Sequence, residues 1–344
     1  MRHLLPLLAL AAPAFAADPP KSNNDGFVPL FNGKDLTGFV NVNCGPKTWT
    51  VKDGVLVTSG FPIGLLRTEK QYENFECEFE WKHINTKEVG NSGFFVWCDP
   101  LPQVGGPFTR GIEVQVLVNY PKNDWATNHG DVFSVSGAKC TPDRPHPTRK
   151  GLERCLPSEE RCKGGGEWNH YRVVANNGAI KLSVNGKEVS GVSECSPRKG
   201  YLSFESEGAE CHFRNVKIKE LPTSNPKPEQ VASVDEGWKP LFNHTDLTGW
   251  KTDAGAWKVA DGVLRSVGKA ELTADGVPER YELIFDWKGP AEVRLGSGGS
   301  LLKANKPGQW QRERVKVEGP GQLTFPAGEK LELRNVYVRE LTKK

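Results

Sequence analysis

Glu113 and Gln115 stand two residues apart in the run Gly111-Ile-Glu-Val-Gln-Val-Leu-Val118, which alternates as a β-strand does. Ile112, Val114, Val116 and Val118 point to one face, and Glu113, Gln115 and Leu117 to the other. A polar segment follows and ends in His129-Gly130-Asp131. A carboxylate and an amide on one strand face, beside a loop with His and Asp, read as the floor of a groove for a polar ligand. The plain alternative is the solvated face of an antiparallel sheet. His129 and Asp131 could be a base with its orienting carboxylate, or two metal ligands; a two-residue spacing in a loop fits either. Phe95 and Trp97 are expected to share a face of a nearby strand. Aromatic planes beside polar groups suit a sugar, whose C–H faces stack while its hydroxyls pair. The alternative for Trp97 is a core aromatic. In residues 139–162, Asp143, Arg144, His146 and Arg149 could line a lid or groove wall, or belong to a solvated loop.

Other chemistries lack their residues. The chain has no G-x-S-x-G elbow, P-loop, G-x-G-x-x-G or H-E-x-x-H. A two-carboxylate glycosidase needs a pair of Asp or Glu facing the scissile bond. The neighbour of Glu113 on its own strand face is Gln115, which cannot ionise. That argues against an ordinary retaining mechanism on this strand.

The elements that must position these residues are strands. Phe75, Cys77, Phe79 and Trp81 alternate with Glu76, Glu78, Glu80 and Lys82, a half-buried strand with one wet face. Phe94 to Trp97 follows Gly90-Asn91-Ser92-Gly93, which reads as a turn. Asn177-Gly178 and Asn185-Gly186 separate alternating runs, the strongest short hairpin signal. Runs at 201–204 and 211–218 add two strands, and no stretch shows sustained helical periodicity. With 37 Gly and 25 Pro, the pattern predicts an all-β chain of β-sandwich, jelly-roll form, whose curved inner sheet supplies a groove.

The chain repeats itself. Pro29-Leu-Phe-Asn-Gly-Lys-Asp-Leu-Thr-Gly38 returns as Pro240-Leu-Phe-Asn-His-Thr-Asp-Leu-Thr-Gly249. Trp49-Thr-Val-Lys-Asp-Gly-Val-Leu56 returns at 257–264, Phe75-Glu-Cys-Glu-Phe-Glu-Trp-Lys82 at 281–288, Gly166-Glu-Trp168 at 308–310, and Phe213-Arg-Asn-Val216 at 333–336. Five blocks in one order indicate duplication. Two modules are expected, at 26–222 and 236–343, joined by a Pro-rich linker at 223–235. Nothing in the second copy corresponds to residues 111–131 or to the loop after them. The second module is therefore expected to keep the framework without the groove and to be non-catalytic.

The first 16 residues combine a basic start, a short apolar run and Ala14-Phe15-Ala16. This reads as a secretory signal peptide, so the chain is expected to be exported, periplasmic or extracellular. No run is long enough to span a bilayer. A formal charge of +3 without a basic stripe argues against nucleic acid and anionic membranes as partners. Eight Cys, all before residue 212, match no zinc spacing. Oxidation is open to an exported protein, and Cys140–Cys155 is the expected disulfide. Cys77, on an apolar face, reads as a buried thiol.

Taken together, P-L-F-N-G-K-D-L-T-G at 29–38, W-T-V-K-D-G-V-L at 49–56, N-S-G-F-F at 91–95, G-I-E-V-Q-V at 111–116, G-E-W-N-H-Y at 166–171 and F-R-N-V-K-I at 213–218 closely resemble the 3-keto-disaccharide hydrolase domain family. The resemblance implies a concanavalin- or laminin-G-like jelly roll. It also implies hydrolysis, or lyase plus hydratase chemistry, on sugars oxidised at C3. A C3 ketone acidifies the C2 hydrogen, so one base can start the reaction while a cation or donor steadies the enolate. On that reading Glu113 or His129 is the base and Asp131 orients the histidine. Arg144 or His146, or a divalent metal ion, steadies the enolate, and Asn91, Gln115 and Trp97 hold the sugar. Many members follow the strand with an Asp, where this chain has Val118 or Asn119. No cofactor is certain, and the expected partner is a carbohydrate substrate. The alternative is a glycan-binding module without catalysis.

Overall fold

The computed structural model describes residues 25–121, 126, 129–274, 276–295, 301–318, 323–326 and 330–341. The signal peptide expected at 1–16 lies outside the described residues, as do 122–125 and 127–128 before His129. The described residues form strands and loops, with one 3-10 turn at Pro228–Gln230. No helix among them is long and apolar enough to cross a membrane.

Two antiparallel sheets built from residues 28–220 face each other. The larger runs in the order Lys139–Pro142, Lys187–Ser196, Ala179–Val184, Asn169–Asn176, Phe75–His83, Cys211–Glu220, Val55–Thr58, Trp49–Lys52, with Val28–Pro29 beside Cys211–Glu220. The smaller runs Arg154–Cys155, Val132–Val135, Gly111–Val118, Gly90–Cys98, Tyr201–Ser206, Gly64–Thr68, Phe39–Val42. The alternation of Phe75–His83 is reproduced in its burial, with Phe75, Cys77, Phe79 and Trp81 inside. Phe79 meets Phe94 at 5.0 Å and Phe204 at 5.6 Å between ring centroids across the sandwich. Ile112, Val114 and Val116 complete this layer. Full burial stabilises each such side chain by about 1.5–3 kcal/mol. The other face of the smaller sheet, which carries Glu113 and Gln115, lies outside this layer.

Gly90-Asn91-Ser92-Gly93 is not a turn. It is the first half of the strand Gly90–Cys98. Its glycines answer to close packing: a Cβ on Gly90 would lie 2.6 Å from the His83 ring. A second departure is at Trp97, whose φ is +57° where the pairing with Tyr201–Ser206 shifts register. This bulge turns Trp97 into the core while Phe95 stays on the opposite face. Simple alternation had placed the two together.

The expected Cys140–Cys155 disulfide is absent, and all eight cysteines are free thiols. Cys140 and Cys155 sit on strands of different sheets. Their sulfurs face the carbonyls of Glu153 and Leu156 respectively. Cys77 is a buried thiol.

Residues 239–340 form sheets of their own. Trp257–Ala260, Val263–Ser266, Glu332–Glu340, Arg280–Lys288 and Gln311–Glu318 form one sheet, with Lys239–Pro240 at its side. Trp250–Lys251, Leu272–Ala274 and Leu323–Phe325 form a second. In place of the nine- and eight-residue strands Gly90–Cys98 and Gly111–Val118 stands one pair of three-residue strands, Glu292–Arg294 and Leu301–Lys303. The segment before residue 236 is strapped along the first module. Gln71 Nε2 donates to the Ala232 and Ser233 carbonyls, and Arg67 pairs with Asp235.

Candidate functional site

Glu113 lies mid-strand, opposite Phe95 on one side and Phe133 on the other; Gln115 lies opposite Gly93. One strand further, Phe204-Glu205-Ser206-Glu207 alternates so that Phe204 enters the core while Glu205 and Glu207 face the groove. The groove has a volume of about 450 Å³. Asn91, Glu113, Gln115, Arg154, Glu205 and Glu207 supply its polar lining, with Phe108 and Phe133 as aromatic wall.

Gly93 lets the carboxylates meet. A Cβ on it would stand 2.7 Å from Glu113 Oε1 and 3.0 Å from Glu205 Oε2, so both acids use the space that a side chain would fill. Burial first, then the charges of its acidic neighbours, pushes Glu113 well above the usual carboxylate range; Arg154 opposes this. Burial, and then Glu113 and Glu207, push Glu205 well above it too. Burial also raises Glu207, against hydrogen bonds from Glu205 and Asn91 that favour its charge. Two carboxyl groups bond to each other only if one holds a proton, and the shifts put that proton on Glu205. Among the described residues no donor faces the buried Glu205 Oε2.

A polar chain ties these acids to the far edge of the sheet. Arg154 Nε donates to Asp131 Oδ2 at 2.6 Å, and Arg154 Nη2 donates to Gln115 Oε1 at 3.2 Å. Gln115 Nε2 donates to Asn91 Oδ1 at 2.8 Å, and Asn91 donates in turn to Glu207. The Arg154 guanidinium lies 3.8 Å over the Phe133 ring, a favourable cation–π contact.

Of the residues singled out from sequence, Glu113, Gln115 and Asn91 come together in the groove. Asp131 joins it through its ion pair with Arg154 and by its charge on Glu113, and among the described residues no hydrogen bond between its side chain and His129 is formed. His129 is buried outside the groove lining. Its Nε2 accepts the backbone N–H groups of Arg161 and Cys162, at 3.4 and 3.1 Å. Burial lowers its pKa to about 4. Trp97 is 0 % exposed and donates its indole N–H to the Glu73 carbonyl at 2.7 Å, so it cannot stack on a ligand. Arg144 braces its own loop on the Leu156 and Val189 carbonyls. His146 Nδ1 accepts the N–H groups of Thr148 and Arg149. Neither lines the groove. The loop does form a wall, through Leu152, Glu153 and Arg154. Among the described residues no three His, Cys, Asp or Glu side chains are grouped to hold a metal ion.

Sequence reasoning missed Glu205, Glu207 and Arg154. The alternation of residues 201–207, continued three residues past Phe204, was the available signal for the acids. Arg154 carried none, because its strand has only two residues.

The buried acids leave an imprint on stability. A carboxyl whose folded pKa is raised stabilises the fold while protonated. That contribution is lost as pH rises from the ordinary value of 4.5 toward the raised one. Glu205→Gln, which keeps the shape and cannot ionise, is therefore expected to melt higher than the parent at pH 8. The two curves should converge below pH 4. A parent that melts as high as Glu205→Gln at pH 8 would show that Glu205 ionises there without cost.

The sequence profile of the 3-keto-alpha-glucoside-1,2-lyase-like domain matches residues 26–219 and 237–300. The chain belongs to that family. The groove of this lyase-like domain is confined to the first of the two matched segments. Among solved structures, two proteins of Parabacteroides distasonis provisionally described as glycosyl hydrolases are similar to it. One is 28% identical, over 57% of this chain and 94% of its own, with a TM-score of 0.44. The other is 22% identical, over 57% and 99%, with a TM-score of 0.41. The carbohydrate-binding module CBM66 of Bacillus subtilis is 13% identical, over 54% of this chain and 96% of its own, with a TM-score of 0.39. No match was found among curated proteins.

Proposed function

We propose that the first module cleaves the C1 substituent from 3-keto-glycosides by 1,2-elimination. The observation that carries this reading is the buried pair Glu113 and Glu205 at the Gly93 gap, with the part-buried Glu207 beside Glu205, in a chain of the 3-keto-glucoside lyase-like family. The C3 ketone acidifies the C2–H bond. Glu113, in its ionised form, takes that proton, and the electrons of the C–H bond move toward the C3 oxygen as an enolate. The charge of Arg154 steadies this species. The enolate collapses to a C1=C2 double bond as the C1–O bond breaks. The proton held between Glu205 and Glu207 passes to the departing oxygen. Water added across the double bond then gives the free 3-keto sugar. Glu113 and Glu205 are both pushed above the ordinary carboxylate range by burial and by their acidic neighbours, and a base and an acid drawn from such a set are what the reaction needs.

The test is a chromogenic 3-keto-glucoside incubated with the full chain, in parallel with and without added divalent metal ions. The C1 group is expected to be released from the 3-keto sugar and retained on the unoxidised glucoside, whose C2–H is not acidic. Binding of both sugars with no release in any arm overturns the reading in favour of a glycan-binding module.

A further inference from the structure

The loop between the strands Gly90–Cys98 and Gly111–Val118 belongs by sequence to the first module, yet the second module holds it. Asp286, wholly buried, accepts the Gly105 N–H at 2.8 Å on Oδ2. Arg312 Nε donates to its Oδ1 at 2.7 Å and Asn335 Nδ2 to its Oδ2 at 2.6 Å. The same Asn335 Nδ2 reaches the carbonyls of Gln103 and Gly106, at 3.2 and 3.1 Å, and Arg312 Nη2 donates to the Pro102 carbonyl at 2.9 Å. Gly105 has φ +69°, and a Cβ on it would fall 2.3 Å from Trp310 Cγ, so only glycine fits. A second tie runs from Tyr337, whose hydroxyl donates to Asn43 Oδ1 at 2.9 Å; Asn43 Nδ2 donates to the Pro107 carbonyl at 3.2 Å.

Phe108 follows directly. It is half-buried, lines the groove with Glu113 and Glu205, and stacks on Phe95 with ring centroids 6.1 Å apart and planes 29° from parallel. The first module carries the matching residues of the repeat, arranged differently. There Glu80 takes the place of Asp286 and closes on Arg214 and Asn215, each at 2.7 Å. Glu80 is part-exposed and Asp286 is not. The shorter acid of the second module is thus drawn back to where the Gly105 amide can reach it.

We infer that Phe108 is the platform on which the apolar face of a pyranose ring stacks in this groove, and that the second module positions it through Asp286, Arg312 and Asn335. The inference deepens the proposed function and rests on it for the sugar. Phe108 takes the role that the buried Trp97 cannot. Asp286 is a positioning residue that acts through the loop.

The experiment measures binding of a methyl 3-keto-glucoside by calorimetry to full-length protein carrying Glu113→Gln, and kcat and KM in the parent. Phe108→Ala is expected to weaken binding roughly tenfold, the scale of one lost ring contact, with the loss of kcat/KM falling on KM. Phe108→Tyr retains binding. Asp286→Asn is expected to weaken binding less than Phe108→Ala and to speed amide exchange at residues 103–108. Phe108→Ala with Asp286→Asn should bind no worse than Phe108→Ala alone, because one acts through the other. Should Asp286→Asn fail to fold, Tyr337→Phe removes the second tie alone and is read the same way. Additive losses, or parent-like binding by Phe108→Ala, overturn the inference. Tight sugar binding without any turnover defeats the elimination reading while the Phe108 comparison still decides this one. No sugar binding by any variant defeats both.

Discussion

Glu113→Gln is expected to lower turnover of a 3-keto-glucoside by about 10²–10⁴-fold, the usual worth of a general base, while sugar binding is kept. Glutamine fills the same space against Gly93 and cannot accept the C2 proton. The pH profile should carry the same information. On the proposed mechanism activity is expected to rise with pH as Glu113 loses its proton, and to fall again as Glu205 and Glu207 lose the proton they share. The two limbs belong to the coupled set of acids, so Glu113→Gln should remove the rising limb together with most of the rate. His129→Gln should cost less than tenfold, because that ring spends its Nε2 lone pair on two backbone amides outside the groove. A full rate from Glu113→Gln, or a collapse from His129→Gln alone, would place the base elsewhere.

The strand framework was legible because its signals are local. Alternation marked Phe75 to Trp81 and Ile112 to Val118 as strands. What was illegible depended on contacts distant in sequence. Gly90 and Gly93 look like turn residues because glycine does two jobs, allowing turns and allowing close approach. Only the positions of His83, Glu113 and Glu205 show that the second applies. Trp97 broke the two-residue period at a bulge, and no residue type announces a bulge of that kind. The pairing of Asp131 with Arg154 rather than His129 follows from strand order, which places Arg154–Cys155 beside Val132–Val135. The groove floor was found from Glu113 and Gln115, while its second acid waited on knowing which strand lies two places away. The same reasoning explains the objection that Gln115 cannot ionise. The acid partner of Glu113 comes from another strand.

Asp131→Asn is expected to destabilise the first module by about 3–5 kcal/mol, the cost of leaving one member of a buried ion pair without its counter-charge. The Asp131 side chain is 0 % exposed and that of Arg154 4 %, so water cannot take the place of the lost carboxylate. The Arg154 guanidinium also holds Gln115 Oε1, and Gln115 holds Asn91. The disturbance should therefore reach Glu207 and weaken sugar binding as well as folding. Removing both charges with Asp131→Asn and Arg154→Met should recover much of the stability lost by Asp131→Asn alone, since the buried cation that had faced Asp131 is then gone. It should not recover sugar binding, because Gln115 and Glu113 would still lack the guanidinium. Urea unfolding followed through the first module separates these outcomes. An exposed pair, Lys70 with Glu220, serves as the control and should change stability little when broken. If Asp131→Asn were as mild as that control, the pair would be solvated in solution, and the chain from Asp131 to Glu207 could not be what orders the groove.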